Sequence, residues 1–321
     1  MDKEELRLKL LEARQQYIDR NKERLEKIRP LWEKTQNVCV IGDWTNGNEP
    51  YIEFCDTQEL QDLWWYGRVT VSSAPLSGEV GRRIHYLVRD RTTGFVLGMV
   101  GLASDLTIPI RDKYIGWTLQ NKWKGKRINY LMNIQHCVST PEFSKYLIGK
   151  LCALSATSKE VQERFEQKYH HPMAMMTVTS LYGKSSMYNR LHGFEYLGTT
   201  KGFSIVLIPY EIKQQMREDF KATKGKHSEI YYNEDGTVRE KYGVVKGYQK
   251  LSKYTKVQSI DNFRGVYVIP LANNYKEFLR QETDTLDLME RKPFSTIVNT
   301  WNERWYLPRV ARLKEGLTTE K

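Results

Sequence analysis

TSLYGKSSMYNRLHGFEYLGTTKG, residues 179–202, links two apolar runs, and the way it turns decides the fold. MAMMTVTS at 173–180 reads as a buried strand ending at Ser180, and FEYLGTT at 194–200 reads as the next strand. Between them Gly183 frees the backbone to turn, and Ser185 or Ser186 is placed to cap a helix over 184–192. A helix starting this way leaves amide N–H groups that attract phosphate or carboxylate, and Lys184 adds a charge beside them. Gly183, Lys184, Ser185 and Ser186 are therefore the candidate cofactor- or anion-binding residues. The full GxxxxGK[ST] phosphate loop is absent, because Val178 stands where its first glycine belongs, which argues against an NTPase.

Working outward, RIHYLVRD at 83–90 and FVLGMVGLAS at 95–104 form a hairpin, with Gly94 supplying the positive φ of the turn. YIGWT at 114–118 reads as a short strand, and the basic NKWKGKRINYLMNIQ at 121–135 as partly helical. Helices are expected at 142–156 and 158–169. Further strands are expected at 203–208 and 265–271, with a helix over 210–224 between them. NYKEFLR, after the last strand, reads as a helical turn. Upstream, residues 3–34 read as one charged helix with Leu8, Leu11, Ile18, Leu25, Ile28 and Trp32 on one stripe and Pro30 bending or ending it. VCVI at 38–41 and YIEF at 51–54 read as strands, and Thr57 caps a helix over 57–66. The fold class expected is α/β (α+β), a mixed central sheet of N-acyltransferase type flanked by helices. The domain reading is an N-terminal helix (1–36), a core (37–222) and a basic, Tyr-rich C-terminal extension (223–321). A sheet that keeps residues 173–180 beside, or splayed from, 194–200 is part of the same expectation.

Of the 321 residues, 50 are Lys or Arg and 39 Asp or Glu, a formal charge of +11 that favours an anionic partner, nucleic acid first. No apolar run is long enough to span a bilayer and the first residues are charged, so no membrane association is expected and the cytoplasm is the expected location. The four cysteines, Cys39, Cys55, Cys137 and Cys152, form neither a CxxC pair nor a disulfide framework and read as buried thiols. His136, His170 and His171 lack the i, i+4 spacing of helical metal ligands, so no metal is expected.

The order of hairpin, strand, helices, strand, short Tyr-bearing helix and Gly-Phe strand start resembles the acetyl-coenzyme-A-dependent N-acyltransferases, and YNRLHGFEYLGTT resembles the end of that fold. The resemblance implies an acyl-coenzyme A or similar donor, with Tyr188 either the acid that protonates the departing thiolate or a residue that only packs the helix on the sheet. A phenol of ordinary pKa ~10 is protonated at neutral pH and suits the acid's role. KWKGKR at 122–127 departs from that family's Gly-rich cofactor loop, with Arg127 where a small residue belongs. RDKYIGWT at 111–118, YLMNIQHCV at 130–138, the 179–202 block and RGVYVIPL at 264–271 together resemble the DruA-like family of phage, transposon and anti-phage defence proteins. That pattern is also similar to the phage Mom DNA-modification proteins, so the resemblance implies DNA chemistry or DNA binding. A base-modifying enzyme, a non-enzymatic DNA-binding or defence module, and an acetyltransferase of small molecules or proteins all stay open.

Asp112, before YIGWT, is a candidate carboxylate base or a turn residue, and Ser186 shares the reactive turn with Tyr188. Trp117, Tyr182 and Phe194 are placed to stack a base or to fill the core. Lys201, together with Lys246, Tyr248, Lys250, Lys253 and Tyr254 in KYGVVKGYQKLSKYTK (241–256), could neutralise phosphates and stack on bases, or stiffen a solvated connector.

Overall fold

The computed structural model describes residues 3–36, 48–72, 81–105, 108–118, 120–204, 229–232, 238–241 and 260–316. The chain divides into two compact units. Residues 2–202 and 262–321 form the larger one, and residues 203–261 form, with Met1, the smaller. The expected strand at 38–41, the helix over 210–224 and the Lys/Tyr stretch of 242–256 lie outside the described residues. In the smaller unit, β7 (Glu229–Tyr232) and β8 (Val238–Lys241) form an antiparallel pair.

The larger unit is built on a mixed seven-stranded sheet. The strands are β1 (Pro50–Phe54), β2 (Arg83–Asp90), β3 (Val96–Ser104), β4 (Leu131–Ser139), β5 (Met175–Ser180), β6 (Glu195–Ser204) and β9 (Ile260–Pro270). Their spatial order is β1-β2-β3-β4-β5-β9-β6. The expected hairpin is present, with Gly94 at φ 72°. β1–β2, β2–β3, β3–β4 and β5–β9 pair antiparallel, whereas β4 and β5 run parallel and share register only over Leu131–Met175, Met132–Met176 and Asn133–Thr177. Strand 175–180 does not lie beside 195–204. β9 stands between them, pairing antiparallel with β5 from Met175–Pro270 to Ser180–Gly265. Residues 262–321, grouped with the extension by sequence, thus supply most of an interior strand.

Helices cover both faces. α1 (Lys3–Arg20) and α2 (Lys22–Lys34) break at Asn21, and α2 continues through Pro30. The break re-phases the stripe: Leu25, Ile28 and Trp32 are buried, but Leu8 and Leu11 are 61% and 46% exposed while Leu6 and Leu10 turn inward. α3 (Gln58–Thr70) starts where Thr57 accepts a hydrogen bond from the Leu60 amide. α2 and α3 pack on Leu87, Val96 and Met99. On the same face, α4 (Pro109–Ile115) and α8 (Tyr275–Leu279) cover Leu131, Met175 and Val268. α5 (Pro141–Ser144), α6 (Ile148–Ser155), α7 (Lys159–Tyr169) and α9 (Phe294–Trp301) pack on the opposite face against Met132, Ile134, Met176 and Val178. α10 (Leu307–Lys314) follows, and its Val310 joins that cluster.

Three local expectations change. YIGWT is no strand: Pro109 fixes the first turn of α4, and Gly116, at φ 80°, ends it by donating to the Asp112 carbonyl at 3.0 Å. Residues 142–156 split into α5 and α6 at Leu147, whose φ is 62°. The polar-looking LMNIQHCVS is β4, preceded by short helical turns at Gln120–Lys124 and Arg127–Tyr130. Alternation explains β4. Met132 and Ile134 enter the apolar core, while Asn133 faces the other side and is buried among polar partners.

Candidate functional site

Six polar side chains from five segments meet on the α4 face, where β4 and β5 share register. The Asn133 amide donates to the Thr177 hydroxyl at 2.9 Å, and that hydroxyl donates to Asp105 Oδ2 at 2.9 Å. Arg111 pairs through Nη1 with the same Asp105 oxygen. Its Nε donates to Asp112 Oδ1 at 2.8 Å, and Lys122 Nζ reaches Asp112 Oδ2 at 2.6 Å. The side chains of Asp105 and Arg111 are fully buried, that of Lys122 is 2% exposed and that of Asp112 19%. The Arg111 guanidinium and Lys122 ammonium lie 5.3 and 5.6 Å from the Trp117 ring centroid, and Trp117 donates its indole N–H to the Leu279 carbonyl. Two cations and two carboxylates thus share one buried chain, open to solvent through Asp112 and Trp117. Burying four charges is a costly way to stabilise a sheet that apolar residues would fill as well, so the arrangement points to work beyond packing.

The 181–191 segment lies on the other face. It makes one turn in place of the expected helix over 184–192. The Ser185 carbonyl accepts from the Tyr188 and Asn189 amides, and Arg190 at φ 65° ends the turn. Lys150 Nζ then gathers the carbonyls of Ser186, Met187 and Asn189 at 2.5, 3.2 and 3.2 Å. Burial lowers the pKa of this ammonium to about 8, helped by Arg190 and Arg304. The Ser185 amide, expected to face an anion, donates to the Tyr267 hydroxyl at 2.8 Å, and the Met187 amide donates to Ser185 Oγ at 3.2 Å. Lys184 sits 5.3 Å from the Tyr196 ring centroid. Tyr188 is buried, stacked on Phe194 and tilted against Tyr267, and burial raises its pKa well above 10, with Cys137 and Tyr267 adding to the effect.

The candidates named from sequence therefore fall into two groups that the sheet separates. Tyr188, Ser185 and Ser186 belong to the face of Val178 and Tyr267, while Asp112 and Trp117 belong to that of Thr177 and Val268. Tyr182 lies by α1, with the Arg7 guanidinium 5.7 Å from its ring centroid. Lys201 lies in β6, and Lys246, Tyr248, Lys250, Lys253 and Tyr254 lie outside the described residues. Sequence reading missed Asp105, Arg111, Lys122, Asn133 and Thr177. The signal available was Asn133 alternating with Met132 and Ile134, a strand pattern with a polar residue facing inward.

The family described as Druantia protein DruA matches residues 2–281. The chain belongs to the DruA family. A curated relative, Druantia protein DruA of Escherichia coli (strain UMEA 4076-1), is 26% identical over 314 residues, covering 90% of this chain and 71% of its own length. The DruA match contains the whole sheet, the polar network and the 181–191 turn, and ends before α9 and α10.

Among the described residues, the segment that follows β4 differs from the Gly-rich pyrophosphate cradle of acyl-coenzyme-A enzymes. β4 runs straight into α5, whose first residue, Pro141, has no amide hydrogen, and whose Glu142 adds negative charge with a buried, unpartnered Oε2. The Thr140 amide and hydroxyl are bonded to the carbonyls of Val96 and Leu97. At Gly125 a side chain would meet Gln281, and Arg127 pairs with Asp284 at 2.5 Å. Among the described residues no group of three or more His, Cys, Asp or Glu could hold a metal, and no helix is long and apolar enough to cross a membrane. Cys55 and Cys152 are buried and Cys137 half-buried, all as free thiols.

Proposed function

We propose that this DruA-family chain serves anti-phage defence by acting at nucleic acid, with its working centre at the Asp105–Lys122 network and not at the Tyr188 turn. The observation that carries this reading is the buried chain Asn133–Thr177–Asp105–Arg111–Asp112–Lys122, four charges on one face of the sheet. Both Asp112 oxygens are engaged by cations, so its part is to aim Arg111 and Lys122 rather than to act as an unpartnered base. The excess of 50 basic over 39 acidic residues supports an anionic partner.

Plating efficiency of phage on cells expressing the chain from its native locus tests the location. Asp112→Asn and Lys122→Met should raise plating at least about tenfold at unchanged protein level, while Tyr188→Phe should protect like wild type. The opposite ranking moves the centre to the turn. Binding of duplex DNA should weaken with salt at a slope of about −0.9 per neutralised phosphate in log K against log salt, roughly −3.6 for four contacts. Absence of binding to any duplex or single strand at about 50 mM salt would remove nucleic acid from the reading.

A second reading, a base-modifying enzyme of acyltransferase type, is favoured by one feature. The parallel β4–β5 pair loses register after three residues inside an otherwise antiparallel run, and such a divergence leaves strand amides and carbonyls for a ligand. Mass spectrometry of nucleosides from cells expressing the chain, beside Tyr188→Phe and Asp112→Asn, decides it. A new nucleoside lost in one variant assigns the chemistry, and unmodified DNA in all three discards it.

A further inference from the structure

A cavity of about 300 Å³ opens at the β1 edge of the sheet, away from the polar network. β1 stops at Phe54, and the last contact along that edge is the Cys55 amide donating to the His85 carbonyl at 2.9 Å. The start of β2 projects past it. Tyr169 Oη and Lys168 Nζ, both from α7, occupy the exposed Arg83 backbone, at 2.8 Å to its amide and 3.0 Å to its carbonyl respectively. The edge is thereby closed to another strand and left as the floor of the cavity.

The walls are cationic and aromatic. Arg83 and Lys168, joined through the Arg83 carbonyl, line it together with Arg164, Arg68 and the Arg24–Trp65 stack. Asp56 is the one carboxylate in the lining, and it is already paired with Arg164. Arg24 is held by Asp62 at 2.8 Å and lies over the Trp65 ring at 3.9 Å, which leaves its flat guanidinium backed by an indole. The Arg164 guanidinium lies 5.5 Å from the Phe54 ring centroid. Among the described residues, neither Arg83 nor Lys168 is ion-paired: Asp56 goes to Arg164, and Lys168 Nζ goes to the Arg83 carbonyl. Burial, and after it the nearby Arg164, lowers the Lys168 pKa, with Asp56 opposing the shift. A ligand that fits must bring negative charge and a flat apolar face within the volume of a small molecule.

We propose that this cavity binds a phosphorylated nucleoside, its phosphate held by Arg83, Arg164 and Lys168 and its base against the Arg24–Trp65 stack. Guanidinium planes and aromatic rings stack on any base, and Arg and Lys engage phosphate through charge-assisted hydrogen bonds. The ligand is either a free nucleotide or the phosphorylated end of a strand. The site is distinct from the Asp105–Lys122 network, and its occupancy does not depend on what that network does.

Calorimetric titration at about 50 mM salt tests the proposal with inorganic phosphate, adenosine, deoxyadenosine 5′-monophosphate, and one single strand with and without a 5′-phosphate. The monophosphate should bind at least about tenfold more tightly than phosphate or adenosine. Arg83→Glu should weaken it ten- to a hundred-fold, the range of one lost charge-assisted contact. Lys314→Glu, the same charge change on exposed α10, should stay within about twofold. Arg83→Ala, milder because this side chain is exposed, should fall between them, with thermal unfolding confirming that each variant is folded. Preference for the 5′-phosphorylated strand assigns a strand end, and preference for the monophosphate a free nucleotide. Phosphate binding as tightly as the nucleotide, or Arg83→Glu behaving like Lys314→Glu, overturns the site. If strands bind and Arg83→Glu changes nothing, the cavity proposal fails while nucleic-acid binding stands. If the monophosphate binds and no strand does, the reverse holds.

Discussion

Arg111→Met is expected to destabilise the protein by about 3–5 kcal/mol, the cost of removing one partner from a buried ion pair. Asp105 and Arg111 both have fully buried side chains, so water cannot take the place of the guanidinium beside the carboxylate. The same change withdraws the Nε donor from Asp112, loosening the tie between α4 and Lys122. Equilibrium urea unfolding measures the loss. The double variant Asp105→Asn, Arg111→Met should recover a large part of it, because the uncompensated charge is gone and Asn accepts the Thr177 hydroxyl as the carboxylate did. A single variant within about 1 kcal/mol of wild type, or a double variant as unstable as the single, would falsify the pairing.

Gly265→Ala should be the second most damaging change, at about 2–3 kcal/mol. Gly265 lies in β9 opposite Ser180, and a methyl group on it would stand 2.3 Å from the Gly183 carbonyl oxygen and 2.6 Å from its carbon. Both contacts are to backbone, so no side chain can swing away. The 181–185 segment must lift, and the bond from the Ser185 amide to Tyr267 Oη goes with it. Gly183→Ala is the control. Its φ of 78° costs an alanine about 1–2 kcal/mol, yet nothing lies within 4 Å of the added carbon. Gly265→Ala should unfold at lower urea than Gly183→Ala. The opposite order would mean that the turn does not rest on β9.

The parts legible in the sequence are those whose cause lies within a few residues. The 83–104 hairpin follows from two apolar runs around Gly94, α3 from its Thr57 cap, α7 from the spacing of Val161, Phe165 and Tyr169, and β5 from an unbroken apolar run. Asp112 and Trp117 were likewise visible as chemistry-bearing residues, because a carboxylate and an indole beside a turn stand out in any context. β4 was hidden since its first residues end the basic run 121–135, which reads as partly helical, whereas Asn133 has Thr177, 44 residues on, as its partner. The 184–192 helix was expected from its serines and glycine, but the carbonyls that would carry it onward are turned toward Lys150, a side chain from α6.

By itself the sequence determined the class of fold, a mixed sheet with helices on both faces, and the family, because apolar periodicity and short ordered motifs survive without knowledge of contacts. Only the tertiary structure decided that β9 enters between β5 and β6, since strand order is a matter of which edges meet and not of any local pattern. It also decided which candidates share a site. Alternation along β5 and β9 sends Tyr188's neighbours to one face and Thr177 to the other, and it gathers Asp105, Arg111 and Lys122, each an ordinary charge in its own segment, into one buried chain.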